Sequence, residues 1–571
     1  MSVFFAGRLL TSPTTASVVD DSAMNNKNLS VGNIVALVGR SAGGKPNTAL
    51  RFGTPSEAVA SLVDGELLTA VLKAFDPSAQ TGGPATVVAV RVNPATQATL
   101  ALVDATPATV INLASTDYGL RANQIKVKIE SGSVSGKKLT TQLGNAYYTQ
   151  DNVARNAFKI RYAGAQATGV MTVSGASVVL QAPTGTTVAT IDLNSYKTVH
   201  ELVDRINVVS GFTASVQDGN GTKVTLNGLD YVTTQDVKTA DYIATANLQA
   251  IVDWFNGTAE GFITATRAAS VGTLPANIGF TYLAGGSDGT VTNTEWANAF
   301  TTLQSEDVQW VVPVSSDASI HAMADTHVAF MSNVGRKERR SIVGMVTGTT
   351  DADAILAAKA LNSDRTSLVH LGFYDYDAAG ALVLQPPYLL AAMIAGAFSG
   401  VNPGTALTNK SLKVRGMERK LRNPTDTDVL IQGGVLCVED TPTGYKVVQS
   451  ISTWLTNDNY NRVEVSTGVA CDFVARNWRN ALDVLRGEKA NAILLARAAS
   501  ITESTFRELA RQEPQGPGVL AGDAENPPYK NIRFTIEGDV LRGEAQVSPV
   551  IPANYVLLTL FAVPYSGSAS V

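Results

Sequence analysis

The chain has 571 residues, 45% of them apolar and only 16% charged, with a net charge of −5. That length exceeds what one hydrophobic core organises, so several domains are expected, and the weakly acidic balance excludes a nucleic-acid footprint spread over the whole chain. Two cysteines, Cys437 and Cys471, lie far apart in apolar surroundings and read as buried free thiols of a reducing compartment, not as a disulfide framework.

The opening MSVFFAGRLL has no basic run ahead of its apolar residues, which break at Arg8, so it does not read as a signal peptide. The polar lead 1–28 is expected to be an N-terminal arm, with Val3, Phe4 and Phe5 as its apolar start. NIVALVG at Asn33–Gly39 predicts a buried strand closed by glycine. Thr54-Pro-Ser-Glu57 is a capping box with proline at the first helical position, predicting one helix over Pro55–Phe75. ATVVAVRV at Ala85–Val92 then predicts a second buried strand.

Over 101–277 the texture changes to Thr, Ser, Gly and Val, with alternating stretches at Gln124–Glu130 and Phe158–Tyr162. Short strands are expected at Val170–Val173, Ser177–Gln181 and Val188–Leu193, with one helix opened by the capping box of Thr198 and Glu201. This is read as a β-rich domain inserted into an α/β fold. The α/β pattern returns over 278–405. Strands are predicted at Val308–Val314, Ser341–Val346 and Ser367–Phe373, and helices at Ala318–Val334 and Ala352–Asn362 behind aspartate caps Asp317 and Asp351. Alternating elements argue for a doubly wound, mainly parallel sheet, discontinuous in sequence because 29–100 supplies its first strands.

A mixed α+β region follows over 406–545. Asp440-Thr-Pro-Thr-Gly444 is a hairpin signal between Gly434–Glu439 and Tyr445–Thr453; helices are expected at Ala470–Arg486 and Ala490–Arg511, and strands at Lys530–Glu537 and Val540–Val550. The last stretch, 546–571, holds Tyr555, Val556, Leu557, Leu558, Thr559, Leu560 and Phe561, apolar on both faces. Within one chain that pattern is a buried strand. Near the C-terminus it is also a strand that could complete a neighbour's sheet, as could Val3–Phe5.

The sharpest enzymatic candidate is Gly39-Arg-Ser-Ala-Gly-Gly44-Lys45, which matches seven positions of a phosphate-binding loop directly after a predicted strand. The eighth position should offer a hydroxyl to magnesium and is Pro46, and the helix that should follow at once waits until Pro55. An ordinary glycine-rich loop is the expectation. His321 and His327 lie six apart on one helix, the wrong spacing for a shared face, and no HExxH or GxSxG motif presents a metal ligand set or a nucleophile. No cofactor is expected. The basic cluster Lys410, Lys413, Arg415, Arg419, Lys420 and Arg422 lacks interleaved aromatic platforms, and together with Arg336–Arg340 it reads as solvated surface, with an acidic protein contact as the alternative. Asp288 is expected to serve its turn.

Two segments stand out for what they omit. LAGGSDGT at Leu283–Thr290 sets Gly285, Gly286 and Gly289 around Asp288, then runs into the capping box Thr292–Glu295. YLLAAMIAGAFSGVNPGTALTNK at Tyr388–Lys410 is a helix of small residues, including Ala395 and Gly396, stopped at Gly400 with Pro403 beyond. It also holds the longest apolar run, Tyr388–Phe398, too short to span a bilayer. Neither segment carries reactive chemistry. As a pair they resemble the central region of contractile-tail sheath proteins. NIVALVGRSAGGKPN, RRSIVGMV at Arg339–Val346, VVQSISTWLT and VSPVIPANYVLLTL support the likeness; the insertion matches least, although DYGLRANQIKVKIE at Asp117–Glu130 is similar to its start in larger members.

The resemblance implies a virion tail component assembled in the host cytoplasm. Subunits would stack as six-membered rings around an inner tail tube, with baseplate and tail terminator proteins as further partners and no direct nucleic-acid contact. N- and C-terminal arms would add strands to a neighbour's C-terminal domain, the C-terminal region would face the tube, and the insertion would decorate the outside. Contraction would draw on the free-energy difference between two lattices, so no enzyme activity is expected. Arg476, Arg479 and Arg486 are the candidate tube contact. The competing expectations are a nucleotide-binding α/β enzyme using Gly39–Lys45 and a static tube or shell protein.

Overall fold

A computed structural model describes residues 34–257, 261–268, 273–377, 379–562, 564, 565 and 567, together with the backbone of 3–5 and 8–10. The remainder of the expected N-terminal arm lies outside the described residues.

The central sheet has six strands in the order Thr366–Val369, Arg340–Gly344, Trp310–Pro313, Ile34–Gly39, Thr86–Arg91 and Ala49–Phe52. The first five are parallel and Ala49–Phe52 is an antiparallel edge. Continuous apolar runs make these strands because helices cover both faces. Along Ile34–Gly39, Val35 and Leu37 pack on the helices Glu66–Phe75 and Pro387–Gly400, while Ala36 and Val38 face Asn293–Thr302 and Ala318–Asn333. The sheet therefore draws its strands from two separate stretches of the chain, 34–91 and 310–369.

Four local expectations need correction. The predicted helix Pro55–Phe75 is two helices, Pro55–Leu62 and Glu66–Phe75. Val63 (φ +66) and Gly65 (φ +111) turn left-handed between them, so the apolar spacing restarts out of phase. Asp351 does not cap the helix Asp351–Leu361; Thr350 does, accepting from Asp353 N–H at 3.2 Å. Ile278–Tyr282, placed with the returning core, pairs instead with Lys126–Ser131 of the insertion. The insertion also holds a second helix, Asn247–Gly257.

The insertion is one module nested inside another. An outer cluster joins residues 98–153 to 248–283, and an inner cluster is built from 157–246 alone. The chain enters and leaves the inner module side by side, where Ala246 N–H donates to Arg155 C=O at 2.9 Å.

In the C-terminal region, Val438–Thr441 and Gly444–Val447 form the expected hairpin. Two long helices follow, Val465–Leu482 and Ala492–Ala510, then the hairpin Tyr529–Glu537 with Val540–Val547. Residues 551–562 form no strand and those from Tyr555 to Ala562 are exposed, which overturns the reading of 554–562 as a strand buried within its own chain; Val563, the last residue of that reading, lies outside the described residues. At the other end, Val3–Phe5 pairs antiparallel with Arg8–Leu10.

Candidate functional site

The glycine loop lies where core and insertion meet. Arg91 ends its strand with a fully buried side chain; Nη2 donates to Asp288 Oδ1 at 2.9 Å, and Nη1 to Gly44 C=O at 2.8 Å and Tyr118 C=O at 3.1 Å. Burial pulls the Arg91 pKa down and Asp288 opposes that pull. Asp288 thus neutralises a buried cation and does more than serve its turn. The sequence held the signal for Arg91, since a lone charge at the end of an apolar strand must find a partner. Gly286 is required by close approach, because a Cβ there would sit 2.6 Å from Gly119 O; Gly285 and Gly289 both have positive φ.

The loop Gly39–Lys45 sits at the switch point of the sheet, between Ile34–Gly39 and Trp310–Pro313, where open α/β folds hold ligands. Here the crevice is filled. A Cβ on Gly39 would lie 2.8 Å from Val314 Cβ. The amides that would cradle a phosphate are already used: Ser41 N–H donates to Asn93, Ala42 to Asp64, Gly43 to Leu62 and Gly44 to Asp117. That geometry speaks against a nucleotide site.

The helix Pro387–Gly400 is buried along nearly its whole length, with Ala395 fully buried and Trp310 stacked on Phe398 at 4.6 Å. A Cβ on Gly396 would fall 2.2 Å from Ala74 O, a backbone atom of the opposing helix. Alanine gains about 1 kcal/mol of helix propensity over glycine, but overpacking against rigid backbone outweighs it. Gly396→Ala is expected to lose about 2 kcal/mol net; an unchanged denaturation midpoint would refute the close-packing argument.

The arginines assigned to a tube contact divide. Arg476 is buried, with Nη1 on Asp307 at 3.0 Å and Nη2 on Glu338 C=O at 2.6 Å. Arg479 grips both Glu338 oxygens, at 2.6 and 2.7 Å. These two fasten the helix Val465–Leu482 to the core edge, so they are not a free surface; Arg486 is exposed beside Asp483. The same seam uses Asp472, which pairs with Arg340 at 3.2 Å and Arg365 at 2.6 Å. Glu338, Arg339 and Arg340 are buried, correcting the solvated reading of the cluster at those three positions, while Arg336 stays exposed. The later basic cluster is partly neutralised in place, through Lys413 with Asp76, Arg419 with Asp351, Lys420 with Asp440 and Arg422 with Asp426.

Arg339 Nη1 also lies 3.0 Å from Nε2 of buried His327. Burial, reinforced by that cation, pushes the His327 pKa down to about 3 from 6.5. Below pH 6.5 the unfolded chain takes up a proton that the folded chain refuses. The stability is therefore complete above that pH and is lost as pH falls toward 3, by about 2 kcal/mol at pH 5. The urea midpoint of the core, read by tryptophan fluorescence, is expected to fall between pH 8 and pH 5, and His327→Gln to flatten that fall. Equal slopes for both proteins would refute it.

Among the described residues no group of three His, Cys, Asp or Glu is arranged for a metal, and no helix is long and apolar enough to cross a membrane. Cys437 is buried and its thiol is pushed up to about 12 by burial; Cys471 is half-buried and raised for the same reason.

The remaining feature is the C-terminal run. Asn554 fastens it to the body, accepting from Thr408 Oγ1 at 3.0 Å and donating to Glu464 Oε2 at 3.1 Å. Beyond it Tyr555, Val556, Leu557, Leu558, Leu560 and Phe561 are 75–93% exposed. A run of naked apolar side chains on a fixed tether marks a candidate interaction segment.

The whole chain has full-length relatives. It is 28% identical over 585 residues to the tail sheath protein of Bacillus phage SP01, covering 99% of this chain and 98% of that one. The chain is a relative of the phage tail sheath proteins. Two crystal structures of sheath tail proteins share its fold. That from Listeria innocua superposes with a TM-score of 0.56 at 14% identity, covering 90% of this chain and 92% of the other. That from Desulfitobacterium hafniense gives 0.52 at 13% identity, covering 94% and 99%. No family model matches. As a tail sheath relative, the chain has its glycine loop and its helix of small residues at internal seams, and its apolar terminus at the surface.

Proposed function

We propose that the chain is a structural subunit of a contractile tail sheath. It polymerises as stacked six-membered rings around an inner tube and shortens to drive that tube through the host envelope, acting within the virion tail alongside baseplate and terminator proteins. The full-length relatives support the family. The observation that carries the assembly mechanism is the exposed run after Asn554. Added as a strand to a neighbour's C-terminal domain, it would satisfy its backbone and bury its side chains, with the start at Val3–Phe5 serving as the second arm. Such head-to-tail linkage is open-ended and builds a helix. Arg486 remains the candidate tube contact of the original three.

Negative-stain microscopy of the purified chain tests the proposal. Hollow, striated tubes of two diameters and pitches support a contractile sheath, tubes of one fixed diameter support a static shell, and compact particles at every concentration overturn both. The nucleotide-enzyme reading would require ATP binding that is lost on Lys45→Ala, and the occupied loop amides oppose it.

A further inference from the structure

The neck between the two nested modules holds an open cleft of about 390 Å³, lined by Gln150, Asn152, Arg155, Asp253, Trp254 and Gly257. A defect in the sheet shapes it. Ala146–Val153 is an edge strand, and its pairing with Lys137–Leu143 slips between Gln150 and Val153. Asn152 stands at φ +58 in that slip, held where Val134 and Ser135 N–H donate to its Oδ1 at 2.8 and 3.0 Å. Such a bulge bends the edge and re-aims its side chains. The strand faces the helix Asn247–Gly257, which contributes Asp253 and Trp254.

The lining selects a chemistry. Arg155 and Asp253 pair at 2.6 Å, and Gln249 Nε2 also donates to Asp253 at 2.8 Å. The pair is neutral as a unit, so neither an anion nor a cation gains net charge attraction from it, and the carboxylate is the more exposed partner. A wholly apolar ligand would cover charged groups without bonding them, which is unfavourable. A neutral polyol can donate to the carboxylate and accept from the guanidinium at once, through adjacent hydroxyls. Trp254 is half-buried, leaving part of the indole accessible, and Gln150 is exposed with a donor and an acceptor on one amide. The volume falls in the range of small-molecule sites and fits one or two pyranose rings.

We propose that this cleft binds a neutral saccharide, making the insertion a glycan-binding module. The full chain is tested by saturation-transfer NMR with maltose and N,N′-diacetylchitobiose as neutral probes and glucosamine and glucuronate as charged counterparts. The expected result is saturable transfer to a neutral probe at millimolar concentration, weakened roughly tenfold by Trp254→Ala and measurably by Gln150→Ala, whose exposed side chain the fold does not need. The proposal is overturned if neither neutral probe receives transfer, if only a charged sugar does, or if both variants bind as the parent does.

Discussion

A chain ending at Asn554 is expected to fold and to remain unassembled under conditions in which the full chain forms tubes. Among the residues removed, those from Tyr555 to Phe561 contribute little to their own subunit, since their side chains are mostly exposed, while the tether bonds from Thr408 and to Glu464 are kept. As a strand, one face would carry Tyr555, Leu557 and Phe561. Burying three such side chains against a neighbour is worth about 5 kcal/mol, a loss of roughly three to four orders of magnitude in each contact's affinity. Sedimentation and negative-stain images of the two chains, with circular dichroism as the folding control, give the comparison. Tubes from the truncated chain would show that the segment is not the link.

Asp288→Ala should open the seam between core and insertion. It removes the paired carboxylate from Arg91, whose guanidinium is fully buried, and breaking such a buried pair costs about 3 kcal/mol. What remains is two uncharged carbonyl acceptors, on Gly44 and Tyr118, and the charge of Asp117, which acts on Arg91 without a hydrogen bond to it. The double variant Arg91→Met with Asp288→Ala removes the charge as well and is expected to recover most of the loss. Hydrogen exchange resolves the effect locally, with faster exchange expected at Gly119, bonded to Thr96 C=O, and at Gly286, bonded to Asn123. Equal exchange in parent and single variant would show that the pair does not hold the seam.

What the sequence revealed follows from how local its causes are. Parallel strands buried on both faces announce themselves as apolar runs, and the capping boxes at Thr198 and Thr292 form as their spacing predicts. The helix Asn247–Gly257 was hidden because its cap is remote: Asp230 accepts from Asn247 N–H at 2.7 Å and Leu248 N–H at 3.1 Å. Arg476 and Arg479 looked like surface because their partners, Asp307 and Glu338, lie far back in the chain. The terminal run was ambiguous for another reason. Its pattern fits a covered strand, but nothing in a sequence says whose chain would supply the cover.

The inner module offers its own lesson. Where Arg155 and Ala246 share a hydrogen bond, the chain departs and returns through a doorway one peptide wide, and the core sheet takes no strand from beyond it. A join from residue 155 to residue 247 would excise the room but also remove the Asp230 cap of the helix Asn247–Gly257 and the carbonyls of Asn227 and Leu229 that Arg267 bonds, so another folded unit with closely spaced ends would have to replace those contacts. In the proposed sheath, which would repeat one subunit many times, such a doorway would be a socket for display.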